Sequence, residues 1–197
     1  MNLPNLLTLL RIFFVPLLVA ALLADGTFLA RWQTLIPISR EIFALAVFLA
    51  AAATDLLDGY LARRWGQVTT VGTLLDPIAD KLLVSSCLLM AAGEGTIRGW
   101  ALFAAIVILC REILVSGLRE YLAELRVSVP VTRLAKWKTT LQLIAIGFLI
   151  AGDAGDAIVP IVTWTGIMLL WLSALLTIYT GWDYLQAGLH HLTREDA

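Results

Sequence analysis

The sequence predicts an all-α, polytopic membrane protein: six transmembrane helices in an up-down bundle, forming a single integral-membrane domain over residues 1–197. Three observations predict it. Hydrophobic residues make up 60 % of the chain and charged residues only 15 %, against about 25 % charged in a soluble domain; mean hydropathy is +0.87. Six apolar runs are each long enough to cross ~30 Å of hydrocarbon, which takes about 20 helical residues. The connections between them are short, apart from residues 25–40, and short connections make neighbouring helices antiparallel.

The first run covers residues 6–24. Asn2-Leu3-Pro4-Asn5 ahead of it supplies helix-entry chemistry, with a proline near the first helical position and polar caps around it. It has no basic stretch before it and holds Arg11 inside it, so a retained helix is expected rather than a cleaved signal. The second and third runs, 41–64 and 70–92, form a hairpin about a turn near residues 66–68. The fourth, fifth and sixth cover 98–122, 133–151 and 158–185. None alternates with a two-residue period, and hydrocarbon leaves backbone polar groups no partner outside the chain, so helices are expected throughout. Cys87 and Cys110 both sit in apolar runs and read as small hydrophobes, with no disulfide or zinc site.

Lys and Arg set the orientation. With the amino terminus inside, the inner connections and tail hold Arg63, Arg64, Arg126, Arg133, Lys136, Lys138 and Arg194, and the outer ones only Arg31, Arg40 and Arg98. Both termini are therefore expected in the cytoplasm. Composition excludes a disordered chain, a disulfide-stapled secreted domain and a nucleic-acid binder with a strong basic field. No internal repeat is visible.

Four carboxylates interrupt this apolar pattern: Asp55 and Asp58 on the second helix, Asp76 and Asp80 on the third. Unpaired in a membrane they would cost roughly 10–14 kcal/mol together. Spacings of three and four put each pair on one helix face, and the hairpin brings Asp58 level with Asp76 and Asp55 level with Asp80. Four acids without His or Cys make a hard oxygen site suited to Mg²⁺ or Mn²⁺. Two such cations would neutralise them and could clamp a phosphoryl displacement; a proton relay or an ion channel could use the same acids. Gly59, Ala62 and Gly72 allow close approach of a ligand, Arg63 offers a donor fork for phosphate, and Pro77 leaves the Thr73 carbonyl without its helical amide.

The whole string, Asp55-x-x-Asp58-Gly59-x-x-Ala62-Arg63 then Gly72-x-x-x-Asp76-x-x-x-Asp80, resembles without departure the signature of the CDP-alcohol phosphatidyltransferase family. The resemblance covers the hairpin closely and the six-helix plan loosely. It implies attack of an alcohol on a CDP-linked phosphate with release of CMP. It implies Asp55, Asp58, Asp76 and Asp80 as ligands of two divalent cations, Asp80 also as the general base. It further implies a CDP pocket lined by Asp55, Asp58, Gly59, Ala62, Arg63, Gly72, Thr73 and Asp76, and a homodimer.

The acceptor is to be read from the fourth and fifth helices. Arg111, Glu112, Arg119 and Glu120 are too many ions for a mere anchor, and Arg133, Lys136 and Lys138 open the fifth helix. This basic cluster is either an anchor for lipid headgroups or a pocket for an anionic, phosphorylated acceptor, held by Arg111, Arg119, Arg133, Lys136 and Lys138. The runs Arg111–Glu124 and Lys136–Gln142, with the opening Asn2–Arg11, are similar to one branch of the family, the bacterial phosphatidylglycerophosphate synthases. That branch implies glycerol 3-phosphate as acceptor, CDP-diacylglycerol as donor, phosphatidylglycerol phosphate as product and the bacterial inner membrane as location, with the active site open to the cytoplasm. Inositol phosphate or serine is the alternative acceptor. Outside enzymes, a cation transporter or a membrane scaffold is the alternative role; a transporter would favour inverted repeats, and a scaffold has no use for so costly a site.

Overall fold

The computed structural model describes residues 3–23, 39–65, 70–125 and 133–195, and every regular element among them is an α-helix. α1 spans Leu3–Leu23, α2 Arg40–Trp65, α3 Thr70–Gly93, α4 Trp100–Glu124, α5 Arg133–Asp156 and α6 Val162–Glu195. These are the six apolar runs, shifted at their ends for local reasons. α5 kinks at Gly152, whose φ of 40° favours glycine, one residue after its apolar run stops. α6 starts at Val162 because residues 157–161 are turns; the Thr163 amide donates to Asp156 Oδ1 at 3.1 Å, satisfying one of the open amides of the first turn. It continues past residue 185 because backbone hydrogen bonding does not end where hydropathy does. Pro16 and Pro77 sit inside α1 and α3 and each removes one amide from its helical ladder.

The chain divides into two compact units. The first comprises Met1–Ile97 and Ile146–Gly166. Here α1 packs against both α2 and α3. Leu18 and Leu22 of α1, Ala44, Phe48 and Ala51 of α2, and Leu83, Cys87 and Leu88 of α3 are buried. Directions follow from side-chain pairs. Thr8 meets Asp76 and Arg11 meets Asp80, so α1 and α3 advance together and are parallel. Arg40, at the start of α2, lies 3.6 Å from Glu94, just past the end of α3, so α2 and α3 are antiparallel. The hairpin expected from the sequence is present.

The second unit comprises Arg98–Ala145 and Ile167–Ala197. Along α4 and α6, Phe103 meets Trp171, Arg111 meets Thr180 and Arg119 meets Tyr184, in that order, so these helices are parallel. Ala104, Ala105, Ile108, Val115 and Leu122 of α4 and Leu170 and Ala174 of α6 form its apolar core.

Large apolar side chains also point outward, among them Phe13, Leu89, Trp100, Ile113, Trp164 and Leu175. Such faces are unfavourable in water at about 25 cal/mol per Å² and find a like solvent in lipid. Three helices, over Asn5–Leu23, Trp100–Ala123 and Val162–Gln186, are long and apolar enough to cross a membrane. The chain is a membrane-embedded, all-helical protein. Cys87 is buried and Cys110 exposed, both as free thiols.

Candidate active site

The first unit gathers the hairpin acids through α1. Arg11 lies one turn beyond Thr8 on that helix, and its side chain is fully buried. One guanidinium nitrogen, Nη1, lies 2.9 Å from Asp55 Oδ1 and 2.6 Å from Asp80 Oδ1. Asp55 and Asp80, level with each other by register, therefore meet at one atom. The Thr8 hydroxyl donates to Asp76 Oδ1 at 2.7 Å, so a third acid belongs to the same neighbourhood. The carboxylates keep part of their surface open, 34 % for Asp55 and 51 % for Asp80. Arg11 approaches them from the buried side, and each keeps an open side.

Asp58, Gly59, Ala62 and Arg63 fall on α2 and Thr73 on α3, but their side chains lie outside the described residues. Gly72 is buried on α3. Among the described residues no three acids, histidines or cysteines stand close enough together to hold a metal ion. Of the four acids, Asp55 and Asp80 bond to Arg11 and Asp76 to Thr8, and the side chain of Asp58 lies outside the described residues. The donor set itself fits Mg²⁺ or Mn²⁺, being all carboxylate oxygen with an open face.

The second unit holds the basic cluster. Lys138 of α5 is buried and pairs with Glu112 of α4. The same Glu112 oxygen lies 3.4 Å from Arg111 Nη1. Arg111 Nη2 donates to the Thr180 hydroxyl at 3.1 Å. Arg119 lies over the Tyr184 ring, 5.3 Å from its centroid, and donates to the tyrosine oxygen at 3.4 Å. Gly181 makes room for this arrangement, since a Cβ there would sit 2.9 Å from Arg111 Nε. Two cations, Lys138 and Arg111, thus share one carboxylate, and Arg119 stands near enough to both for its charge to be felt. Two buried polar atoms of this unit, Arg111 Nε and Gln142 Oε1 one turn beyond Lys138 on α5, have no hydrogen-bond partner among the described residues, and buried polar atoms normally have one. Arg133 and Lys136 fall on α5 with side chains outside the described residues.

Sequence reading passed over four contributors: Thr8, Arg11, Thr180 and Tyr184. A signal existed for three of them. An arginine inside an apolar run needs a partner, and the hairpin acids were in excess of nearby cations. Thr177, Thr180 and Tyr184 share one face of α6 by their spacing, a polar stripe on an otherwise apolar helix.

Comparison with known proteins agrees with this chemistry. The family profile described as CDP-alcohol phosphatidyltransferase matches residues 1–179. The CDP-diacylglycerol–glycerol-3-phosphate 3-phosphatidyltransferase of Rickettsia felis is 41 % identical over 186 residues, covering 94 % of both chains. The proteins of that name from Cereibacter sphaeroides and Escherichia coli K12 are each 37 % identical, over 98 % of both chains and over 95 % of this chain and 94 % of the other. With the hairpin motif complete in sequence and a match that runs over most of its length, the chain belongs to the CDP-alcohol phosphatidyltransferase family.

Proposed function

We propose that this protein transfers a phosphatidyl group from CDP-diacylglycerol to glycerol 3-phosphate, releasing CMP and forming phosphatidylglycerol phosphate for phospholipid biosynthesis. The observation that carries the reading is the meeting of Asp55 and Asp80 at Arg11, with Asp76 held beside them by Thr8, in a chain of this family. In this reading Asp55, Asp58, Asp76 and Asp80 hold two divalent cations, Mg²⁺ or Mn²⁺, which when bound neutralise the diphosphate and acidify the attacking hydroxyl. Arg63 binds the diphosphate of the donor in a pocket with Gly59, Ala62, Gly72 and Thr73. Asp80 takes the proton of the acceptor hydroxyl as its oxygen bonds to phosphorus. The bond from phosphorus to the CMP oxygen breaks, and CMP leaves as a phosphate monoester.

The acceptor's phosphate carries about two negative charges near pH 7, which the net charge of Arg111, Arg119, Lys138 and Glu112 matches. Arg133 and Lys136 add to that supply. The reading has all six helices span a bacterial inner membrane; the Lys and Arg bias supports both termini and the site opening on its cytoplasmic side, and family membership favours a homodimer. The test is mass spectrometry of the lipid formed when purified protein in nanodiscs receives CDP-diacylglycerol with glycerol 3-phosphate, inositol phosphate or serine. Phosphatidylglycerol phosphate as the main product supports the reading. A product from another acceptor moves the enzyme to another branch, and no lipid product with any acceptor removes the enzymatic reading.

A further inference from the structure

We infer that Arg11 is a resident counter-ion of the acid site, sharing Asp55 and Asp80 with the divalent cations and so weakening and tuning their binding. The inference rests on the metal-binding reading of the acids proposed above. Its ground is geometry. A single nitrogen, Arg11 Nη1, is within hydrogen-bond reach of one oxygen on each of two helices. The arginine is fully buried while both acids are partly open. It is an element of the bundle, carried by α1 and fixed one turn from the Thr8–Asp76 bond, and not a mobile surface group.

Two consequences follow from charge. Before any metal arrives, four acids in a membrane hairpin repel one another and each is costly unpaired; a permanently charged guanidinium relieves part of this and keeps Asp55 and Asp80 at one place. Once a divalent cation arrives, it meets carboxylates already partly neutralised, with a positive charge on their buried side, and like charges oppose each other strongly at such distances. Arg11 therefore opposes metal binding while keeping its ligands gathered. Thr8 has the second property without the first, being neutral.

The experiment is Mn²⁺ titration of the full-length protein in nanodiscs at pH 8, read by loss of the free-ion electron paramagnetic resonance signal. Wild type, Arg11→Gln, Arg11→Lys, Thr8→Val and Asp80→Asn are compared. The counter-ion account expects Arg11→Gln to bind Mn²⁺ at least about tenfold more tightly and to gain more thermal stability from it than wild type. Arg11→Lys and Thr8→Val should stay within about threefold of wild type, by the same linkage, and Asp80→Asn should bind more weakly. Unchanged or weaker Mn²⁺ binding in Arg11→Gln overturns the inference and makes Arg11 structural or purely orienting. Should Arg11→Gln fail to fold, Arg11→Lys decides: a clear loss of affinity means that the guanidinium fork, not its charge, matters, and the inference fails. If wild type itself binds no Mn²⁺, it is the metal reading that falls.

Discussion

Lys138 offers the sharpest test of the acceptor assignment, because its pairing with Glu112 makes two different predictions for one substitution. Lys138 is 6 % exposed and its ammonium is held by Glu112. Lys138→Met keeps most of the stem and removes the charge. Among the described residues Glu112 is then left with Arg111, 3.4 Å away, so the fold should lose stability, toward the lower end of the about 3–5 kcal/mol typical of a broken buried pair. Removing one charged contact to a bound phosphate costs about 2–5 kcal/mol, or roughly 30-fold to several thousand-fold in affinity. Arg111 and Arg119 remain, which again favours the lower end. The KM for glycerol 3-phosphate should therefore rise by roughly 30- to 100-fold, with that for CDP-diacylglycerol almost unmoved. The double variant Lys138→Met with Glu112→Gln removes both members of the pair. It should recover most of the thermal stability and keep the raised KM for the acceptor. Both Michaelis constants and the melting temperature are measured for each variant. A double variant that recovers the acceptor KM together with its stability would show Lys138 to be a structural pair, and the cluster would lose its claim on the acceptor.

Further outcomes follow from the same geometry. Asp76→Asn and Asp80→Asn should each lower turnover by at least about 10³-fold while the protein still inserts and folds, as checked by CMP release beside size-exclusion profiles. EDTA should abolish CMP release, and Mg²⁺ or Mn²⁺ should restore it; activity that survives chelation contradicts the metal reading. Gly181→Ala puts a methyl 2.9 Å from Arg111 Nε and 3.3 Å from its Cγ, so it should raise the acceptor KM by about tenfold with little effect on the donor. Arg63→Ala should show the opposite bias, raising the KM for CDP-diacylglycerol; an equal effect on both substrates would take Arg63 out of the nucleotide pocket.

The sequence carried the helices because hydropathy and helix length are tied to one physical quantity, the thickness of hydrocarbon. It carried the pairing of Asp55 with Asp80 because a hairpin's turn fixes the register of its arms. It did not carry the ends of α5 and α6, which depend on the φ of Gly152 and on one bond from Thr163 to Asp156. Nor did it reveal that Arg11 meets the acids: helix-to-helix contacts between elements far apart in the chain are set by packing, and Arg11 lies 69 residues from Asp80. The cost of a charge in an apolar run says that a partner must exist, not which one. The basic cluster was legible as charges on α4 and α5, while its partners on α6, Thr180 and Tyr184, were signalled only by an uncharged polar stripe, which does not say which side chains it meets.

The central claim is that the hairpin acids of this chain move a phosphatidyl group from CDP-diacylglycerol onto glycerol 3-phosphate. Its most direct test is CMP release by the purified protein in nanodiscs with Mg²⁺, measured with and without glycerol 3-phosphate, in wild type and in Asp80→Asn. The account predicts release that depends on glycerol 3-phosphate, with no comparable rate from inositol phosphate, serine or water, and a loss of at least about 10³-fold in Asp80→Asn. Release in wild type that ignores the acceptor, or near-normal release in Asp80→Asn, would contradict it.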